Sequence, residues 1–188
     1  MAIYPRFVSI PSGTFRLGPD NAKLSLRTER TGAAAMAGHD LVIRVTSWDA
    51  QLVLGEEASA ELDADGRSLR VVESTGGMQA LGEDDRSNIH ETISSDVLTR
   101  EQISFRSNLV DPDAGGNRLH VEGDLTLVGQ TRRIGFDLVM GEAGSVSGSA
   151  IVKQTDWDMK PYSTLFGAIK VKDEVLVVLE GQLGPQSR

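Results

Sequence analysis

The sequence predicts a mainly β protein, an antiparallel β-barrel of about eight strands with one amphipathic helix. Apolar and polar residues alternate along most of the chain, which is the period of a strand with one buried face. Glycine accounts for 20 of the 188 residues, and apolar residues account for 39%. This composition favours short strands joined by tight turns over a helix bundle. We expect a single domain, 1–188, with its core at about 13–183.

A hairpin is the clearest element of the predicted sheet. Between 117 and 140, apolar residues such as Leu125 and Phe136 alternate with polar ones on both sides of a turn at Gly129, Gln130 and Thr131. A lone hairpin is marginal in water because it cannot bury its own apolar face. Other strands of the chain must therefore cover it.

The chain before this hairpin is predicted to consist mainly of strands joined by turns. Asp65-Gly66 is a strong hairpin signal, so the strands on its two sides are expected to pair. Gln51 begins a predicted return strand after Trp48. The segment 31–37 lacks alternation and is either one helical turn or a bend of small residues. The predicted strands are 12–18, 22–27, 41–48, 51–54, 58–63, 68–75 and 102–110.

One helix is predicted at 83–98. Ile89, Ile93 and Val97 recur every four residues, and acidic residues stand in the first turn, where the helix dipole favours them. The apolar stripe is expected to pack on the sheet. The later segments 145–154 and 174–183 alternate again and are predicted to be the closing strands.

Charge and cysteine content limit the partners and the compartment. The net charge is −8, so phosphate backbones and anionic membrane surfaces repel the protein on average, and no nucleic acid partner is expected. No run of apolar residues is long enough to span a bilayer. The chain has no cysteine and its first residues do not resemble a secretory signal. We therefore expect a cytoplasmic protein without integral membrane association.

The usual signatures of enzymes and metal sites are incomplete in this sequence. Val146 stands where a Gly-x-Ser-x-Gly motif needs its nucleophile, and Ser94 stands where a zincin helix needs its second histidine. Asp111 and Asp113 resemble the start of a calcium loop, but Gly115 occupies the third ligand position. We expect no enzymatic activity, no cofactor and no metal.

Five segments, in the right order, resemble the YceI-like family. They are GTFRLGPDNAKLSLRTERTG, GHDLVIRVTSWDAQL, DDRSNIHETISSDVL followed by ISFRS, GDLTLVGQTRRIGFDLVM, and SAIVKQTDWDMKPYSTLFGAIKVKDEVLVVLEG. The resemblance extends from about Gly13 to Leu183. It implies a lipocalin-like antiparallel barrel and, as in members that bind polyisoprenoids, an apolar isoprenoid-type lipid as the partner.

Alternation places one set of apolar side chains on the inner face of the predicted barrel. A long apolar ligand needs such a wall because each buried methylene contributes about 0.8 kcal/mol. The alternative is that the same side chains fill the barrel as an ordinary core. The candidate lumen residues are Leu24, Leu26, Ile43, Val45, Leu52, Phe105, Leu125, Leu127, Phe136, Leu138, Val152 and Val177.

A second set of residues is expected at the barrel mouth. His39 precedes a strand and could meet a polar head group, or it could simply form a hydrogen bond between strands. The loop before the last strand mixes aromatic, cationic and apolar side chains that either border the mouth or plug the barrel end. The candidate mouth residues are His39, Trp157, Lys160, Tyr162, Leu165 and Phe166.

Two functions agree with these observations. The first is a non-enzymatic protein that carries or sequesters an isoprenoid-type lipid in its lumen. The second is a filled barrel that acts as a stress-related or protein-interaction module without a lipid. Whether the protein forms a homodimer is left open.

Overall fold

The computed structural model describes residues 11–99, 101–113 and 116–184. The first ten residues, and Ala114 and Gly115 of the connection considered as a calcium loop, lie outside the described residues. Strands dominate the described part, as the alternating pattern predicts. They are β1 (Gly13–Leu17), β2 (Ala22–Thr28), β3 (Arg30–Thr31), β4 (His39–Val45), β5 (Trp48–Leu54), β6 (Ser59–Asp65), β7 (Leu69–Gly76), β8 (Gln102–Pro112), β9 (Arg118–Leu127), β10 (Gln130–Met140), β11 (Ser145–Lys153), β12 (Ser163–Thr164), β13 (Ile169–Val171) and β14 (Glu174–Gln182).

Eleven of these strands form one antiparallel sheet, in the order β1-β5-β6-β8-β9-β10-β11-β14-β2-β4-β7. This sheet curls into a half-barrel around one apolar interior. The other three strands form a small sheet in the order β12-β13-β3. The prediction of a mainly β, antiparallel protein with one helix is confirmed. The predicted number of about eight strands is wrong, because the described residues form fourteen.

Bends within three long strands, together with the three short strands of the small sheet, explain the difference in number. β5 pairs with β1 and β6, whereas β4 pairs with β2 and β7. β1 with β2, β4 with β5, and β6 with β7 therefore form three long strands, each divided by a bend. The bends also bond to one another, since Thr46 N donates to Ser68 O at 3.1 Å and Asp65 N donates to Ser47 O at 3.0 Å.

The predicted hairpin at Asp65-Gly66 and the predicted return strand at Gln51 are wrong. In the observed pairing β6 lies between β5 and β8, and β7 lies beside β4. Gly66 instead allows a close approach of two backbones, because a Cβ there would lie 2.4 Å from Glu101 O. Gly66, a residue type that is typical of tight turns, thus lies in the bend between β6 and β7.

The central hairpin is formed by β9 and β10, with Gln130 opposite Leu127. Its turn is the dipeptide Val128-Gly129, one residue earlier than predicted, and both residues have positive φ angles, 43° and 73°. Such a two-residue turn matches the right-handed twist of the two strands. The two predicted closing strands are present as β11 and β14, and they pair antiparallel over their whole length.

The predicted helix is present as α1 (Glu83–Thr92) and a following π-helical turn at Ile93–Val97. At its start Gly82 N donates to Asp85 Oδ2 at 2.9 Å, which satisfies one of the free donors of the first turn. Arg86 donates to Val71 O at 3.0 Å and so ties α1 to the edge strand β7. No helix among the described residues is long and apolar enough to cross a membrane.

The small sheet lies at one end of the curled sheet. The segment with two predicted alternatives, 31–37, contains a short 3-10 turn at Ala35–Ala37, so the helical alternative holds there. Ala34 N donates to Ala168 O at 2.9 Å, which joins this turn to the segment before β13.

Candidate ligand-binding cavity

The curled sheet and α1 enclose a cavity of about 470 Å³. Its wall consists mainly of aliphatic side chains, and all eleven strands of the main sheet contribute to it. Ile89 and Ile93 of the helix segment complete the wall on one side. The cavity is therefore an apolar space of the size that ligand pockets usually have.

All twelve side chains that alternation assigns to the lumen line this cavity. Nine of them are buried: Leu24, Ile43, Val45, Leu52, Phe105, Leu125, Leu127, Leu138 and Val152. Leu26, Phe136 and Val177 are half-buried although they lie inside the sheet. Partial exposure at inward positions is what an unfilled lumen produces. That a ligand contacts these residues stays a prediction.

Several wall residues were not among the predicted lumen residues. Ile89, Ile93 and Val97 line the cavity, although their stripe was expected only to pack on the sheet. Their recurrence at every fourth residue marks one face of the helix, and this pattern could have identified them as part of the cavity wall. Ala150 and Met159 also line the cavity, but a small residue and a loop methionine offer no pattern that marks them.

One glycine makes room for an aromatic pair inside the cavity. The rings of Phe105 and Phe136 are tilted by 55° with their centroids 5.4 Å apart, a favourable aromatic arrangement. A Cβ at Gly123 would lie 2.5 Å from the Phe105 ring and 2.5 Å from Arg106 O. Gly123 therefore lets the Phe105 ring lie against β9.

Polar side chains gather where the small sheet meets the cavity. Arg30, His39, Tyr162 and Lys170 all line the wall there. His39 Nε2 lies 2.8 Å from Gln79 O, so the histidine of the predicted mouth has a hydrogen-bond partner. Tyr162 and Lys170 are exposed, which shows that the cavity reaches the surface at this point.

Ion pairs and hydrogen bonds hold the strand ends around this mouth. Arg30 lies 3.4 Å from Asp40, and Lys172 pairs with Glu29. The hydrogen bond to Glu29 raises the pKa of the Lys172 ammonium. Hydrogen bonds from Thr155 lower the pKa of Asp173. These ion pairs and hydrogen bonds fix the segments that border the opening.

Trp157 does not lie at the predicted mouth. It is buried away from the cavity wall, and its Nε1 donates to Leu125 O at 3.0 Å. The indole lies at the end of the 3-10 turn Gln154–Trp157 and points toward β9. At the other end of this turn, Gln154 Nε2 donates to Lys172 O at 2.9 Å. Trp157 is a structural anchor, and a role in ligand contact is not supported by its position.

The other predicted mouth residues lie outside the cavity wall. Lys160, Leu165 and Phe166 are exposed. Lys160 belongs to the connection between β11 and β12, and Leu165 and Phe166 belong to the turn between β12 and β13. Only His39 and Tyr162 of the six predicted mouth residues line the cavity. The sequence grouped these residues at the mouth but could not assign the direction of each side chain.

Comparison with known proteins identifies the relatives of this chain. The model of the YceI-like domain matches residues 15–183. The chain belongs to the YceI-like family. A search of curated proteins found no significant match.

Solved structures of YceI-like proteins share this fold. BcnA of Burkholderia cenocepacia is 17% identical and superposes with a TM-score of 0.62, covering 85% of this chain and 94% of that chain. The YCEI protein of Campylobacter jejuni is 11% identical, with a TM-score of 0.54, covering 80% of this chain and 86% of that chain. At such identities the likeness shows the fold alone.

Proposed function

We propose that this YceI-like protein is a non-enzymatic carrier that holds an apolar, isoprenoid-type lipid in its lumen. The observation that carries the proposal is the cavity of about 470 Å³ with an almost entirely aliphatic and aromatic wall. A well-packed interior has few voids larger than a water molecule, so an empty space of this size calls for an occupant.

The physics of the cavity favours a chain-like ligand. Each methylene that leaves water contributes about 0.8 kcal/mol, and the wall demands few hydrogen bonds in return. Arg30, His39, Tyr162 and Lys170 stand at the mouth. We propose that these polar groups contact the head of the ligand while its tail lies against Leu26, Phe136 and the other lumen residues.

We further propose that the curled sheet acts as a lipocalin-like container. The three bent strands keep one another as neighbours on both sides of their bends, and β14 and β8 extend the sheet from β2 and β6, which supports one continuous wall around the lumen. Curling of this kind shields apolar side chains and leaves few free strand edges. A cytoplasmic location stays a prediction, and whether the protein forms a homodimer stays open.

The alternative function, a filled barrel acting as an interaction module, requires an interior without space for a ligand. The volume of the cavity and the partial exposure of Leu26, Phe136 and Val177 favour the carrier. An activity without a bound lipid would need a functional surface elsewhere on the molecule.

The proposal is tested by filling the cavity from its wall. Ala150 lines the cavity, whereas its neighbour Ile151 is 65% exposed on the outer face of β11. We expect Ala150→Phe to weaken binding of the fluorescent apolar probe N-phenyl-1-naphthylamine at least about tenfold, because the new ring occupies the space of the ligand. Ile151→Phe is the matched control and is expected to keep the affinity of the unmodified protein.

Native mass spectrometry and solvent extraction of the purified protein complete the test. A co-purifying lipid that Ile151→Phe retains and Ala150→Phe loses would support the carrier. Ala50→Leu, on β5, offers a second way to fill the same cavity if Ala150→Phe folds poorly. Equal probe affinity in all these variants would contradict a ligand site in the lumen.

A further inference from the structure

Large apolar side chains are exposed around the mouth of the cavity. Met36 is 87% exposed, Met78 is 85% exposed, Leu165 is 61% exposed and Phe166 is fully exposed. With Tyr162, they form a group that we call the apolar lip. Isolated apolar residues on a surface need no explanation, but a cluster at one opening does.

Backbone contacts place the lip residues around the same opening. Met36 lies in the turn that is joined to Ala168 through Ala34 N, and Ala168 N itself donates to Leu165 O at 3.1 Å. Tyr162 O accepts a hydrogen bond from Val171 N, on β13, at 2.9 Å.

Met78 reaches this opening from the other side. A Cβ at its neighbour Gly77 would touch the His39 ring, and Gln79 O bonds to that ring. His39 lines the cavity at the mouth. The lip therefore surrounds the place where the cavity meets solvent.

The backbone at the tip of the lip holds its apolar side chains outward. Leu165 and Phe166 have φ angles of 49° and 54°, which are uncommon for large residues and cost free energy. A relaxed loop could turn Phe166 toward the protein. The rest of the fold compensates for this strain, and the result is a phenyl ring that is presented to solvent.

The charges beside the lip fit a surface of phospholipid head groups. In the part of the chain that the structure describes, neither Lys160 nor Lys170 forms an ion pair, whereas Arg30 and Lys172 are paired with acids. Two unpaired cations beside apolar tips and a tyrosine are typical of segments that lie in a membrane interface. Because the net charge of the chain is −8, we expect the rest of its surface to be repelled by anionic lipids, so that only the lip is attracted.

We propose that the apolar lip docks on the surface of a phospholipid bilayer, so that a lipid passes between bilayer and lumen without crossing water. Phe166, Leu165 and the two methionines enter the outer layer of acyl chains, and Lys160 and Lys170 contact phosphate groups. This inference rests on the proposed carrier function and adds the place at which the ligand is exchanged.

The test uses the full chain and phosphatidylcholine vesicles, with and without phosphatidylglycerol, in a flotation assay. The double variant Leu165→Asn/Phe166→Asn removes the apolar tips and keeps residues that tolerate positive φ, so the loop can keep its conformation. We expect it to reduce vesicle binding at least about tenfold, because two large apolar groups no longer enter the bilayer. Ile151→Thr removes an exposed apolar residue from the outer face of the sheet and is expected to change binding less than about twofold.

Probe binding separates docking from ligand holding. In support of the proposal, the double variant binds N-phenyl-1-naphthylamine as the unmodified protein does but delivers it to vesicles more slowly. Failure of the unmodified protein to float with either vesicle overturns docking and leaves the carrier function intact. Docking is also overturned if the double variant floats normally, or if light scattering shows that the unmodified protein is a dimer and the double variant a monomer, because the lip then binds a second copy of the chain.

Discussion

Two buried tryptophans are held in different ways. Trp157 Nε1 donates to Leu125 O, whereas Trp48 Nε1 has no hydrogen-bond partner among the described residues. A buried donor without a partner costs about 1 to 3 kcal/mol, so its removal compensates for part of the lost packing. We expect Trp157→Phe to lower the free energy of unfolding by about 1 to 3 kcal/mol more than Trp48→Phe does.

Urea denaturation of the two variants, followed by circular dichroism, measures this difference. Each variant serves as the control of the other, because both replace a buried indole by a phenyl ring. Similar losses of stability in the two variants would mean that the Trp157 hydrogen bond contributes nothing and that only volume matters.

Individual lumen residues could be predicted because a strand reverses its side chains at every residue. To predict that Leu125 and Leu127 line the lumen, it is enough to know which face of the strand points inward, and the alternating pattern of the hairpin indicates that face. Trp157 and Phe166 lie in short turns, where the direction of a side chain follows from local hydrogen bonds such as that from Gln154 to Lys172 O. No periodicity in the sequence contains that information.

At the scale of elements, strand positions were easier to predict than strand partners. Asp65-Gly66 satisfies the local requirements of a hairpin turn and of a bend, and only contacts between distant segments decide which forms. Here Gly66 N donates to Glu101 O at 3.2 Å, a partner far away in the sequence. Bulges between Val42 and Ile43 and between Ser107 and Leu109 add curl to the sheet and are equally invisible locally.

The helix segment forms one wall of the cavity, and a single substitution can weaken its attachment to the sheet. Arg86 Nη1 donates to Val71 O at 3.0 Å and holds α1 on the edge strand β7. A hydrogen bond from a charged group contributes about 1.5 to 3 kcal/mol. We therefore expect Arg86→Ala to accelerate amide hydrogen exchange in 83–97 roughly tenfold and to speed release of the bound probe.

Arg67→Ala is the control for this variant. Arg67 pairs with Asp65 at 3.0 Å, just before β7, and forms no hydrogen bond or ion pair with the helix in the structure as described. Hydrogen exchange measured by mass spectrometry is expected to show no change at 83–97 in this control. If both variants exchange alike, the Arg86 bond does not hold the helix.

At the scale of the whole molecule, the cavity links ligand binding to stability. A ligand that binds only the folded protein stabilises it by about 2.7 kcal/mol at a hundred times its Kd. For a domain of this size that free energy raises the Tm by about 5 to 10 °C. We expect N-phenyl-1-naphthylamine to raise the Tm of the protein by this amount, in a concentration-dependent way, after extraction of any bound lipid.

The filled variant decides whether this stabilisation comes from the lumen. Ala150→Phe places its ring among the cavity residues, so it removes the space for the probe and adds apolar contacts to the folded state. Its Tm without probe should equal or exceed that of the extracted protein, and added probe should leave it unchanged. A probe-dependent rise in Tm that persists in Ala150→Phe would place the stabilising site on the surface, and the cavity would then be a void without a function in binding.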